Sequence, residues 1–131
     1  MSSFAAGESA SPRRRPLRGY PFRLGVRQAG TTLILRLTGA FDWRCVGRVE
    51  AALEEVSGAP TRQVIFDLQA LGSLDMAGLR TLLRANERAR TERFEVIVVR
   101  PTGSVNRIFT LTRAGEELTF VDNLPEGTAT G

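Results

Sequence analysis

The sequence predicts an α/β domain built on a mixed, mostly parallel sheet of four to five strands. An antiparallel hairpin lies at its N-terminal side and the helices pack mainly on one face. Three observations predict this. Apolar residues alternate with period two in two short runs on either side of Gly30; two later runs, VIFDL and EVIVV, are continuously apolar; and segments with helical spacing lie between them. Two consecutive strands followed by alternating helices and strands give an antiparallel pair and then parallel neighbours joined by right-handed crossovers. The order is β-β-α-β-α-β-α, with room for one last short strand.

Taken in order, residues 1–20 (MSSFAAGESASPRRRPLRGY) are rich in Ser, Ala, Gly, Pro and Arg. Such a composition buries too little surface to offset chain entropy, so a disordered arm is expected. Phe22, Leu24 and Val26 alternate with polar or small neighbours, as do Leu33, Leu35 and Leu37, and Ala29-Gly30 is the turn between them. This is a hairpin with one face buried. In TGAFDWRCVGRVEAALEEVSGAP the period changes: Val46, Val49, Leu53 and Val56 form a helical stripe, with Asp42 as N-cap and Gly58 then Pro60 as the stop.

RQVIFDL then fills a central strand covered on both faces. ALGSLDMAGLRTLL, residues 70–83, opens as a loop and leads into a second helix. There Leu79, Leu82, Leu83 and Ala89 face inward, while Arg80, Arg84, Glu87, Arg88 and Arg90 face out. FEVIVVR is another buried strand. Ser104 is placed as the N-cap of a third helix carrying Val105, Ile108 and Phe109, and LTFVDN fits a short edge strand. Residues 21–124 form one domain, and residues 125–131 a flexible tail. There is no internal repeat.

Composition removes several classes of chemistry. Histidine is absent and Cys45 is the only cysteine. An intramolecular disulfide is excluded, and so are the commonest general base, the commonest zinc ligand and every Ser-His or Cys-His nucleophile. The net charge is +4, and every basic residue is arginine. Arg13, Arg14, Arg15 and Arg18 against Glu8 concentrate most of that charge in the arm, so the body is nearly neutral. No window reaches the roughly 18 apolar residues of a membrane span. The arm carries its charges after a short, weak apolar patch, the reverse of a secretory signal, so a cytoplasmic location is expected.

Candidate catalytic groups read as structural ones. Asp67 and Asp75 are a conceivable carboxylate pair, but the first ends a strand and the second caps a helix. No Gly-rich phosphate loop occurs. Asp42, Cys45 and Glu50 lack metal-ligand spacing, and Cys45 reads as a small buried or half-buried apolar residue. The arginine arm reads as a solvating tail, with no specific nucleic acid and no membrane contact expected. Arg80, Arg84 and Arg88 recur on one helix face, either as a solvated surface or as a dock for an acidic partner.

VIFDLQALGSLDMAGLRTLL closely resembles the signature of STAS domains. Asp67, Leu68, Leu71, Leu74, Asp75, Ala77, Gly78, Leu79 and Leu83 match it in register. Upstream, LRLTGAFD is similar to that family's L-x-G-E-L-D, with Gly39 and Asp42 in place and Ala40 where a glutamate is usual. The resemblance covers about residues 22–124, and the element order is also the family's. It implies a non-enzymatic, anti-sigma factor antagonist-like regulator without a cofactor. In such antagonists the residue after the aspartate is a serine or threonine. An anti-sigma factor with a kinase-like ATP-binding fold phosphorylates it, and the phosphate ends binding.

Here that residue is Met76, which has no hydroxyl to accept phosphate. Ser73 and Thr81 are the nearest hydroxyls, and neither takes its place. Three readings of Met76 stay open: a surface that is permanently unphosphorylated, an apolar anchor for a different partner, or a side chain packed against the core with the switch lost. The implied partner-binding residues are Gly39, Asp42, Trp43, Ser73, Asp75, Met76, Ala77, Gly78 and Arg80, with Met76 and Arg80 pointing outward. Trp43 suits an aromatic anchor as well as a core or rim position. The alternative implied by the resemblance is an accessory subunit that holds the ATPase subunit of an ABC-type lipid transporter. The domain itself is expected to be a monomer or a weak dimer.

Overall fold

Strand β1 (Arg23–Ala29) turns at Gly30 and pairs antiparallel with β2 (Thr32–Phe41), Val26 lying opposite Leu35 and Leu24 opposite Leu37. The computed structural model describes residues 19–56 and 60–125. The expected disordered arm up to residue 18, the Gly58 helix stop and the tail from Glu126 lie outside these described residues. A 3-10 turn, Trp43–Cys45, leads into α1 (Val46–Val56), followed by β3 (Gln63–Asp67), β4 (Leu71–Leu74), α2 (Met76–Glu92) and β5 (Glu95–Val99). The chain then forms α3 (Gly103–Thr110), a single turn α4 (Ala114–Glu117) and β6 (Phe120–Val121). The main path of the sheet runs β1-β2-β3-β5-β6, antiparallel only at β1-β2.

Among the described residues the sheet has six strands rather than four to five. The added one is β4, where the sequence suggests a loop. Strand β2 extends to Phe41 and divides its length between two parallel neighbours. Its first half pairs with β3 through Arg36 and Asp67, and its last residues pair with β4, Ala40 opposite Ser73 and Phe41 opposite Leu74. A register shift between Gly39 and Ala40 accommodates the change of neighbour.

All four helices contribute to the main core on one face of the sheet. Leu33, Leu35, Leu37, Val64, Phe66, Val96 and Val98 from the strands meet Val49 and Leu53 of α1, Leu79, Leu82, Ala85 and Ala89 of α2, and Val105, Phe109 and Ala114 further on. Phe41, Phe66 and Phe109 are among its largest fully buried side chains, each stabilising the fold by roughly 1.5–3 kcal/mol. The opposite face carries a smaller cluster, Ile34, Ile65, Ile97 and Val99, against which Ala29, Val121 and Leu124 pack. Among the described residues no helix residue takes part in it, so the helices do pack on one face.

Two local expectations are corrected. Val26 sits on the helix-facing side but is 54% exposed, because β1 is the edge strand. The N-cap of α3 is Thr102, not Ser104, which lies exposed in the first turn. Thr102 is extended and Gly103 already turns the chain with a φ of +61°, a conformation that glycine takes readily. Helix α4, with Ala114 buried, has no counterpart in the sequence reading.

Candidate functional site

The ends of β2 and β4 and the start of α2 meet at Asp75. This residue is extended (φ −101°, ψ 179°), the conformation of an N-cap, and its Oδ1 accepts a 2.8 Å hydrogen bond from the Gly78 amide. Its Oδ2 accepts a second, at 3.0 Å, from the Trp43 amide. The Asp75 amide in turn donates to the Phe41 carbonyl, and the Leu79 amide donates to the Asp75 carbonyl. One carboxylate thus closes the first turn of α2 and ties it to the loop after β2.

That loop has its own clasp. Asp42 caps the 3-10 turn, accepting from the Arg44 amide at 3.0 Å and from the Arg44 guanidinium at 2.8 Å. The guanidinium holds the Asp42 carboxyl below the usual carboxylate range. Cys45 is half-buried against the core as the sequence suggests, its Sγ 3.9 Å from Asp42 Oδ1.

On this fixed backbone stand two exposed apolar side chains. Trp43 is 70% and Met76 is 59% exposed. These values remove two of the open alternatives: Trp43 is not a core residue, and Met76 is not packed inside. Arg80 and Ser73 are exposed and Ala77 is half-buried. Gly39 and Gly78 lie beneath the surface and shape it from below. A Cβ on Gly78 would come within 2.7 Å of Leu74 Cδ1 and 3.1 Å of the Phe41 carbonyl oxygen. A Cβ on Gly39, whose φ is +78°, would stand 2.1 Å from the Pro21 carbonyl oxygen. Close backbone approach and a positive φ require glycine at Gly39, whereas at Gly78 a side chain would press on Leu74 and Phe41.

The other hydroxyl of interest is closed off. Thr81 is buried, and its Oγ1 donates to the Ala77 carbonyl at 2.9 Å. Asp67 is likewise committed elsewhere. It is 1% exposed, receives Arg36 Nε at 3.2 Å and accepts from the Gln69 amide, while Asp75 serves as a cap. The carboxylates weighed as an acid-base pair therefore hold separate structural contacts.

Further along α2 the arginine stripe divides. Arg84 reaches Glu50 of α1 at 4.0 Å, and Arg88 reaches Glu54 at 3.2 Å and Glu92 at 2.6 Å. Among the described residues no carboxylate lies within ion-pair distance of Arg80. Sequence reading missed the Asp75–Trp43 and Arg88–Glu54 contacts, since their partners are more than thirty residues apart. Among the described residues there is no group of three or more potential metal ligands and no helix long and apolar enough to cross a membrane.

Comparison with known proteins fits this architecture. No curated protein matches the chain significantly. Three solved structures that share its fold are an anti-sigma factor antagonist from Mycobacterium paratuberculosis and the anti-sigma factor antagonist SpoIIAA in two forms. The mycobacterial protein is 20% identical with a TM-score of 0.68, over 82% of this chain and 91% of that one. Unphosphorylated SpoIIAA is 17% identical with a TM-score of 0.61, over 79% and 90%. The phosphorylated form of SpoIIAA, a Bacillus cell fate determinant, is 18% identical with a TM-score of 0.59, over 77% and 91%. The family model for the STAS domain matches residues 23–127, which include every strand and helix described above, and this chain belongs to the STAS domain family.

Proposed function

We propose that this STAS domain is a non-enzymatic regulator of the anti-sigma factor antagonist kind. It binds an anti-sigma factor with a kinase-like ATP-binding fold through the surface formed by Trp43, Ser73, Asp75, Met76, Ala77 and Arg80, and it works in the cytoplasm. Met76 carries the reading: an exposed thioether, the first residue of α2, next to a capping aspartate, where the family's switch has its hydroxyl. SpoIIAA, similar in fold, occurs in an unphosphorylated and a phosphorylated form.

A phosphate added at that position would bring about −1.5 to −2 charge beside Asp75. A thioether cannot receive it, so binding stays on and depends on the amount of protein. Met adapts to irregular apolar pockets, and Trp43 beside it supplies a large anchor. Asp42 and Gly39, with Gly78, hold the backbone that presents them.

Capture on the chain from its native host, followed by identification of what is retained, tests the class of partner. A kinase-like anti-sigma factor supports the reading, and retention of an ABC-type ATPase subunit replaces it with a transport accessory role. Against the captured partner, Met76→Asp imitates the repelling charge and should weaken binding about tenfold or more while the melting temperature stays unchanged. Unchanged affinity would place the contact elsewhere. Met76→Ser restores the hydroxyl and should take up labelled phosphate from the matching kinase, whereas the unmodified chain takes up none at this position.

A further inference from the structure

A second site, away from Met76 and independent of the function proposed above, lies at the N-terminal edge of the sheet. Arg23, Arg36 and Arg48 line one cavity of about 420 Å3 together with Leu24, Gly25 and Thr38, and among the described residues no acidic one lines it. The sheet register builds this arrangement. Arg23 lies opposite Thr38 and Gly25 opposite Arg36, two successive cross-strand pairs on the face turned away from the helices. Gly25 leaves the space between the two arginines open. From the helix side, around the edge strand β1, α1 adds Arg48, whose guanidinium carbon stands 5.1 Å from the centre of the Phe22 ring.

Two of the three cations are held in place before any ligand arrives. Phe22, stacked on Phe41 at 5.2 Å, fixes Arg48, and buried Asp67 fixes Arg36 through Nε at 3.2 Å. Asp67 offsets one positive charge. Among the described residues, neither Arg23 nor Arg48 has a carboxylate within ion-pair distance. Arginine stays charged at every physiological pH, and its planar fork matches phosphate oxygens in pairs. Clustered like charge raises the local potential, which a bound anion relieves. The Thr38 hydroxyl adds a neutral donor at the cavity wall.

From this geometry we infer that the cavity at the β1 edge of the sheet, lined from β1, β2 and α1, binds a phosphate-bearing anion. The phosphate can belong to a free small molecule or to a lipid headgroup, and the chemistry of recognition is the same for both.

Pyrophosphate added to the full chain, followed by amide NMR and calorimetry, tests the free form. Flotation with vesicles containing phosphatidylglycerol tests the headgroup. The expected result is movement of the Gly25 and Thr38 amides with pyrophosphate, or flotation with the vesicles. Arg23→Gln and Arg48→Gln, both at exposed positions, should each weaken that binding about tenfold. Gly25→Val keeps every charge and places a branched side chain between Arg23 and Arg36. A Cβ there meets Arg36 Cβ at an ordinary 3.7 Å, and valine suits a strand, so the fold should persist while binding is lost. Absence of response to both probes overturns the assignment. So does binding that survives Gly25→Val or the double substitution Arg23→Gln with Arg48→Gln, since that would be attraction to a basic surface at large.

Discussion

The first turn of α2 and its third and fourth turns belong to one helix, yet they present opposite chemistry to solvent. At the start, Met76 stands exposed beside Trp43 on a backbone held by both oxygens of Asp75. Further along, Arg84 and Arg88 are also on the surface, but Glu50, Glu54 and Glu92 already answer their charge. The contrast separates exposure from availability. A charge paired within its own chain must lose that pair before it can serve a partner. An apolar side chain on a fixed backbone has no ion pair to give up: burial removes it from water, and the cost is confined to its own rotamer freedom. Arg80 lies at the boundary, on the helix face of the stripe but without a carboxylate partner among the described residues, and so it belongs with Met76.

The largest effect expected on this contrast comes from below the surface. Gly78→Val places a branched side chain where Leu74 and the Phe41 carbonyl already stand. It should cost about 3 kcal/mol in chemical denaturation, the upper part of the overpacking range. The first turn would shift away from β2, and partner binding should fall with it. A Gly78→Val protein as stable as the parent would show that the close packing of α2 on the end of β2 is not a constraint.

Asp75→Ala is the next largest. It removes the cap of α2 and the bond to the Trp43 amide together, and should cost about 2 kcal/mol, a cap and an exposed hydrogen bond combined. Hydrogen exchange should rise at the Trp43 and Gly78 amides while the amides of β3 and β5 keep their protection. If only the Gly78 amide changes, the loop after β2 is held by the Asp42–Arg44 clasp alone.

These expectations rest partly on what the letters already carry. VIFDL and EVIVV announce buried parallel strands because apolar residues fill both faces, and the inward stripe of α2 follows from Leu79, Leu82 and Ala89 at helical spacing. Asp75 is legible as a cap, since capping is local. Strand β4 is not legible: LGSL has neither alternation nor a continuous apolar run, and it becomes a strand only because β2 outlasts β3 and offers it a free edge. Met76 can be singled out from the sequence, whereas its exposure depends on how β2, β4 and α2 converge. The bond from the Trp43 amide to Asp75, and the pairing of Arg88 with Glu54, join residues distant in the chain that only the folded sheet and helix pair bring together. For the same reason Arg84 and Arg88 resemble a free basic stripe when α2 is read alone.

Arg84→Ala and Arg88→Ala test the other half of the contrast and should have the smallest effects. Arg84 and its partner Glu50 are both well exposed, so their loss should fall within about 0.5 kcal/mol. Arg88 is less exposed and has two carboxylate partners, one of them on its own helix, so about 1 kcal/mol is expected there. Salt distinguishes this from a packing loss: raising ionic strength should shrink the gap between Arg88→Ala and the parent, because it screens the attraction the parent holds and the variant lacks. Neither substitution should alter affinity for the captured partner. A tenfold loss of binding with Arg84→Ala, at unchanged stability, would mean that the partner's carboxylates displace Glu50 and that the docking surface runs on along α2, so that pairing within the chain would no longer mark where that surface ends.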